Sequence, residues 1–127
     1  MCMYDGCENE AKFYRHSVHV ARKDHKCVEC GRVILRGEQY HYDFQVYDTW
    51  PSSSYHTCLH CRVAQQWLIR ECGGYLIEGT WEDIREHIQE YPALRFPLGR
   101  LVVGARHKWA GMPVPPVPVA SAEDYVR

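Results

Sequence analysis

The chain has 127 residues, a net charge of −1 at pH 7, hydrophobic residues over 46% of its length and no apolar run fit to cross a bilayer. That length suits one compact α+β domain and argues against a membrane protein. Seven cysteines are an odd number, so disulfide pairing alone cannot account for them. The opening residues, Met1 to Asp5, show no basic stretch followed by an apolar run, which points to a cytoplasmic setting where thiols stay reduced.

The charges are segregated along the chain. From Ala11 to Lys26 the bases Lys12, Arg15, Arg22, Lys23 and Lys26 face only Asp24, and residues 1–24 read as an N-terminal basic arm, expected to pack on the core through Phe13, Tyr14 and Val18. Residues 71–90 hold six acids against Arg85, and residues 91–122 hold no acid against Arg95, Arg100, Arg106 and Lys108. Such separation fits nucleic-acid contact, steering toward a charged protein, or plain solvated faces.

Residues 25–74 carry the chemistry. Cys27-Val28-Glu29-Cys30 and Cys58-Leu59-His60-Cys61 are two pairs with two residues inside each and twenty-seven between them. A C-x-x-C aims both thiolates at one ion, and two such pairs complete the sulfur shell that Zn²⁺ prefers. Gly31 permits a tight turn after the second ligand. Val33–Leu35 and Gln39–Tyr47 read as strands around the turn Arg36-Gly37-Glu38, with Tyr40, Tyr42, Phe44 and Val46 on one face. Asp48–Ser54 reads as a loop. Thr57 is the expected N-cap of a helix that bears Cys58 and Cys61 in its first turn, continues through Val63, Ala64, Trp67, Leu68 and Cys72, and stops at Gly73-Gly74. Cys72 lies eleven residues beyond Cys61, roughly 16 Å along a helix, so it is expected as a buried core thiol and not a ligand. Cys2, Cys7, His16 and His19 form a looser candidate set for a second ion, in competition with ordinary thiols and surface histidines.

Knuckle, hairpin and a helix carrying the second pair resemble a treble-clef zinc finger. The resemblance covers about Cys27 to Cys72 and implies one structural zinc on Cys27, Cys30, Cys58 and Cys61, with the helix packed across the hairpin. The wider stretch from His25 to Arg32, with Ile34, Gly37-Glu38, Tyr40 and Thr57-Cys58, also looks like small zinc-finger proteins of bacteriophages. That likeness implies a viral protein in bacterial cytoplasm, binding and inhibiting a host factor or defence complex, and brings no established activity.

Residues 75–92 hold a second helix, Thr80–Tyr91, capped by Thr80 with Asp83 in a capping-box position, its apolar stripe being Trp81, Ile84, Ile88 and Tyr91. Residues 93–127 form a basic, Pro-rich extension with a short strand expected at Leu101-Val102-Val103. Within it Arg106, Lys108 and Trp109 are a candidate contact for nucleic acid or a partner, and Met112–Val119 an extended tail, lying across the domain or left disordered in preference to serving as a PxxP ligand.

No histidine or asparagine follows Cys61 on its helix, so an HNH-type nuclease, which treble clefs also scaffold, lacks its metal-holding partner despite His41 and His56 upstream. A four-cysteine shell also leaves no position for a hydrolytic water. The expected function is therefore non-enzymatic: a zinc-stabilised protein-interaction module using Trp50, Tyr55, Trp109 and the tail, with nucleic-acid binding as the alternative.

Overall fold

The computed structural model describes residues 13–47, 51–119 and 121–125. Their elements run β1 (Phe13–Val20), β2 (His25–Lys26), β3 (Val33–Ile34), β4 (Gln39–Val46), β5 (Ser53–Cys58), α1 (Leu59–Cys72), α2 (Thr80–Glu90) and α3 (Arg95–Arg106). Single 3-10 turns sit at Pro92–Leu94 and Ala122–Tyr125. This is a small α+β fold with two antiparallel sheets. One is β1-β4-β5; the other is the two-residue pair β2-β3. No helix among the described residues is long and apolar enough to cross a membrane.

The expected arm is in part an edge strand. Residues 13–20 pair along the whole of β4, from Phe13 opposite Val46 to Val20 opposite Gln39. Phe13, Tyr14 and Val18 are each about half exposed, and Tyr14 reaches inward through its hydroxyl to Asp43. The expected loop before the second cysteine pair also ends in a strand. Residues 53–58 pair with β4, Ser53 opposite Gln45 and Cys58 opposite Tyr40. β3 pairs with β2 and not with β4.

Alternation divides the three-stranded sheet into two unlike faces. His16, His41, Asp43 and Thr57 lie on one, turned toward α1. The other carries His19, Tyr42, Phe44 and His56, and its rings touch one another across the strands. The face against α1 is thus polar, and Asp43 on it is fully buried. Its carboxylate is satisfied by three donors: Tyr14 OH at 2.6 Å, His16 Nδ1 at 2.8 Å and Tyr75 OH at 3.2 Å. Arg62 Nη1 of α1 donates to Tyr75 OH at 2.8 Å, and His16 Nε2 meets His41 Nδ1 at 3.0 Å.

The apolar core lies between α1, α2 and α3. Val63, Ala64, Trp67 and Leu68 of α1 meet Trp81 and Ile84 of α2 and Leu94, Leu98, Leu101 and Ala105 from the α3 segment, all buried. Residues 101–103 are helical, not a strand. The spacing Leu94, Leu98, Leu101, Ala105 puts four apolar groups on one helical stripe, and burying that stripe outweighs the local β preference of a Val pair. α1 ends as expected, with Gly73 at φ 80° donating its N–H to Ile69 O at 2.9 Å.

The tail lies across the domain. His60 Nε2 donates to Met112 O at 2.8 Å, Arg70 donates to Pro118 O, and Tyr125 OH donates to Glu71 Oε2 at 2.7 Å. Val117 packs on the core. Met112 O, Pro118 O and Val117 are thereby engaged within the chain, while Pro113, Val114 and Pro116 stay exposed.

Burial first, then Arg62 and His16, hold the His41 pKa down at about 4, against the opposing pull of Asp43. An unfolded histidine titrates near 6.5. Between those values the unfolded chain binds the extra proton, so the stability contributed by neutral His41 is present above pH ~6.5 and lost as pH falls toward ~4. His41→Gln should flatten that part of the profile, measured by urea unfolding at stepped pH; identical slopes for both proteins would refute the assignment.

Candidate metal centre

The first pair sits where β2 turns into β3. Cys27 N donates to Arg32 O at 2.8 Å and Gly31 N to Cys27 O at 3.0 Å, closing a knuckle. Gly31 has φ 78°, a left-handed conformation that costs a residue with a Cβ about 1 kcal/mol or more. The second pair arrives on the end of β5 and the start of α1. Cys58 itself, not Thr57, is the N-cap of α1: its Sγ accepts Cys61 N–H at 3.5 Å. Thr57 is buried beneath the sheet. The cap and the ligand are thus one residue, which fixes the second pair against the helix start. Val28 N donates to His56 O at 2.8 Å and pins the knuckle to β5.

The four sulfurs of Cys27, Cys30, Cys58 and Cys61 lie within 4.8 Å of one another, with Cys30 and Cys58 3.9 Å apart. Tetrahedral zinc with Zn–S of about 2.3 Å requires neighbouring sulfurs about 3.8 Å apart. A disulfide would bring two of them to about 2.05 Å, and all four are free thiols. The set therefore fits one structural zinc ion. It is the only such cluster of histidines, cysteines and carboxylates among the described residues.

Each sulfur also has its own N–H donor. Cys27 Sγ accepts from Cys58 N at 3.4 Å, Cys30 Sγ from Arg32 N at 3.4 Å, Cys58 Sγ from Cys61 N, and Cys61 Sγ from Trp109 Nε1 at 3.5 Å. Donors aimed at sulfur favour the thiolate. The thiols nonetheless cannot all ionise together. Hydrogen bonds from Cys30, Cys58 and Cys61 drive Cys27 strongly down, while contact with Cys27 first pushes Cys58 and Cys61 strongly up. A divalent cation resolves that conflict by neutralising the shared charge.

Two supports were not visible in the cysteine spacing. Glu29, inside the knuckle, has an Oε2 that accepts from Thr80 Oγ1 at 2.8 Å, Gln65 Nε2 at 3.1 Å and Glu78 N at 3.2 Å. It ties the knuckle to α1 and to the start of α2. Burial pushes its pKa up, with those three donors pulling the other way. Thr80 spends its hydroxyl on Glu29, so Gly79 and not Thr80 is the N-cap of α2, and Asp83 is buried instead of completing a capping box.

Trp109 is the second support. It is 2% exposed, so it cannot be a surface contact of the kind expected with Arg106 and Lys108, which are exposed. Its ring lies between His60, at 5.3 Å, and Trp81, at 6.0 Å. Lys108 and Trp109 take φ of 52° and 57°, two consecutive left-handed residues that double the chain back onto the sulfurs. Gly104 makes room: a Cβ there would stand 2.2 Å from the ring.

The other candidate ligands stand apart. His16 has both ring nitrogens engaged, by Asp43 and His41, and His19 Nε2 meets Ser17 Oγ at 2.7 Å. Cys2 and Cys7 lie outside the described residues. Cys72 is half-buried beside His87, Sγ to Nε2 3.5 Å, and disulfide-bonded, where the sequence led us to expect a buried, reduced thiol.

No family model, curated protein or solved structure matches the chain.

Trp109→Phe keeps the ring and removes the N–H, so zinc affinity should fall about 10- to 100-fold in competition with a chromophoric chelator. Unchanged affinity would make the indole a packing group only. Gly104→Ala should cost about 1–3 kcal/mol in urea unfolding as the ring is forced aside; a neutral effect would mean the indole has room to move.

Proposed function

We propose that the chain is a non-enzymatic binding module of treble-clef type, held together by one structural zinc. The observation that carries this reading is the closed sulfur cluster, in which each of four thiols has an N–H donor and an N–H-lined shell is left with no vertex for water. A catalytic zinc keeps an open position; this donor set supports the structural kind. On α1 the residues beyond Cys61 supply Arg62, Gln65, Gln66 and Arg70, and no histidine or asparagine for a nuclease metal.

The module needs a surface. Of the residues expected to meet a protein partner, Trp109 is buried under the sulfurs and the tail is docked on α1. Tyr55 is part-buried, and Trp50 lies outside the described residues. We assign partner binding to the ring-bearing face of the three-stranded sheet, where exposed Phe13 and His19 border Arg15. The looser phage likeness finds no support in the comparisons, so we name no host target.

Structural zinc in finger peptides contributes about 10–16 kcal/mol, as much as a domain's whole stability of about 5–15 kcal/mol. Cys58→Ala, or excess chelator on the unmutated chain, should therefore abolish both the metal and cooperative unfolding. Elemental analysis and a thermal melt decide it: a Cys58→Ala protein with one zinc per chain and an unchanged Tm sinks the proposal.

A further inference from the structure

The sheet face turned away from α1 is rich in flat rings. Phe13 and Phe44 meet edge to face with centroids 6.4 Å apart, and His19 stacks on Tyr42 at 5.0 Å and 25°. His56 lies 5.6 Å from Tyr42, and His25 from β2 stacks on His56 at 4.1 Å and 13°. Phe13 is 52% exposed and His19 is also exposed, so the outer rings are open to solvent. Tyr40 and Tyr42 pack on the core, while Phe13 and His19 at the outer edge do not.

Cations border the rings. Arg15 shares the face, opposite Phe44 in the register. Arg22 and Lys23, on the turn between β1 and β2, line an open cleft with His19, His25, Arg36 and Tyr40. Among the described residues, Arg15, Arg22, Lys23 and Arg36 make no ion pair. Of the nearby carboxylates, Glu38 pairs with Arg32 at 2.9 Å, and Asp24 stays at the same turn, accepting the Arg36 backbone N–H at 2.9 Å. Four cations with no ion pair among the described residues, against the one carboxylate on their own turn, leave a net positive surface.

We propose that this face binds single-stranded nucleic acid, its rings stacking on unpaired bases and Arg15, Arg22, Lys23 and Arg36 holding the phosphates. An acidic peptide would satisfy the cations but leave the ring faces unused, whereas every nucleotide offers both a charge and a π-face. A duplex hides its base faces, and this sheet presents no helix or ribbon to enter a groove. β4 is eight residues long, roughly 24 Å, which gives room for a few nucleotides. The inference rests on the module reading above, with the zinc scaffold holding β5 and the knuckle in place.

The test is fluorescence polarisation with the zinc-loaded full chain and labelled oligomers of about 12 nucleotides, single-stranded DNA and RNA against duplex. Single strands should bind at least about tenfold tighter than duplex, and affinity should fall steeply between about 50 and 200 mM salt. His19→Ala and Phe13→Ala alter exposed rings and should each weaken binding about fivefold or more. Arg22→Glu with Lys23→Glu should abolish it, and Arg106→Glu, on α3, should change nothing. Equal binding to duplex, or unchanged affinity in both ring variants, would overturn the proposal in favour of unspecific charge attraction. Failure of every oligomer to bind, with a nuclease-resistant protein captured through the same residues, would make the face a protein interface and overturn it equally. Zinc content and Tm are read on each sample, so loss of the scaffold, which would refute the module reading, is distinguishable from loss of this surface.

Discussion

Four negatively polarisable sulfurs held within 4.8 Å of one another are the constraint on which this molecule depends. Without a cation the arrangement is electrostatically self-defeating, because each ionised sulfur opposes the next. With one it joins pieces of chain about thirty residues apart, the knuckle and the start of α1, at a single point. A domain of this size has a modest core, and a cross-link that removes freedom from the unfolded chain offsets that shortage.

What surrounds the cluster is as specific as the cluster itself. The second pair is positioned by a helix capped by its own ligand, Cys58. Glu29 anchors the knuckle from below through three donors, and Trp109 closes it from the C-terminal side. The polar sheet face against α1 is made tolerable by the three donors that keep the buried Asp43 carboxyl hydrogen-bonded. The other face, which packs inward at Tyr40, Tyr42 and Cys58, is where rings and cations accumulate toward its open edge.

The metal cluster was legible in the sequence because ligand spacing is a local property. α1 and α2 were legible for the same reason: a Gly stop at 73 and the 3.6-residue stripe Trp81, Ile84, Ile88 are written in neighbouring residues. β1 and β5 were not, since both are edge strands whose pairing with β4 is a long-range event; the Ser and His of β5 carry little strand preference, and the Phe, Tyr and Val of β1 fall in no clean apolar–polar alternation. α3 was misread because its Val pair favours a strand locally, and only the packing of Leu94, Leu98, Leu101 and Ala105 decides otherwise. Thr57 and Thr80 look like caps by residue type, yet one is buried and the other serves Glu29. Trp109 carries no local sign of its role. A base-flanked aromatic reads as a surface contact until the chain is seen to double back, and the small Gly104 five residues earlier was the one available hint.

That doubling back has a consequence for how the protein opens. Two successive non-glycine residues in left-handed conformation store about 1–3 kcal/mol each, and the indole's contacts with Cys61, His60 and Trp81 hold them there. Beyond them His60 grips Met112 O, and the tail follows along α1. Release of the indole would relax the strain and free the tail's first anchor together, so the sulfur centre and the C-terminal strap form one cooperative unit, a foldon in the sense used for native-state exchange. The strap's order is in effect a remote report of the metal's occupancy.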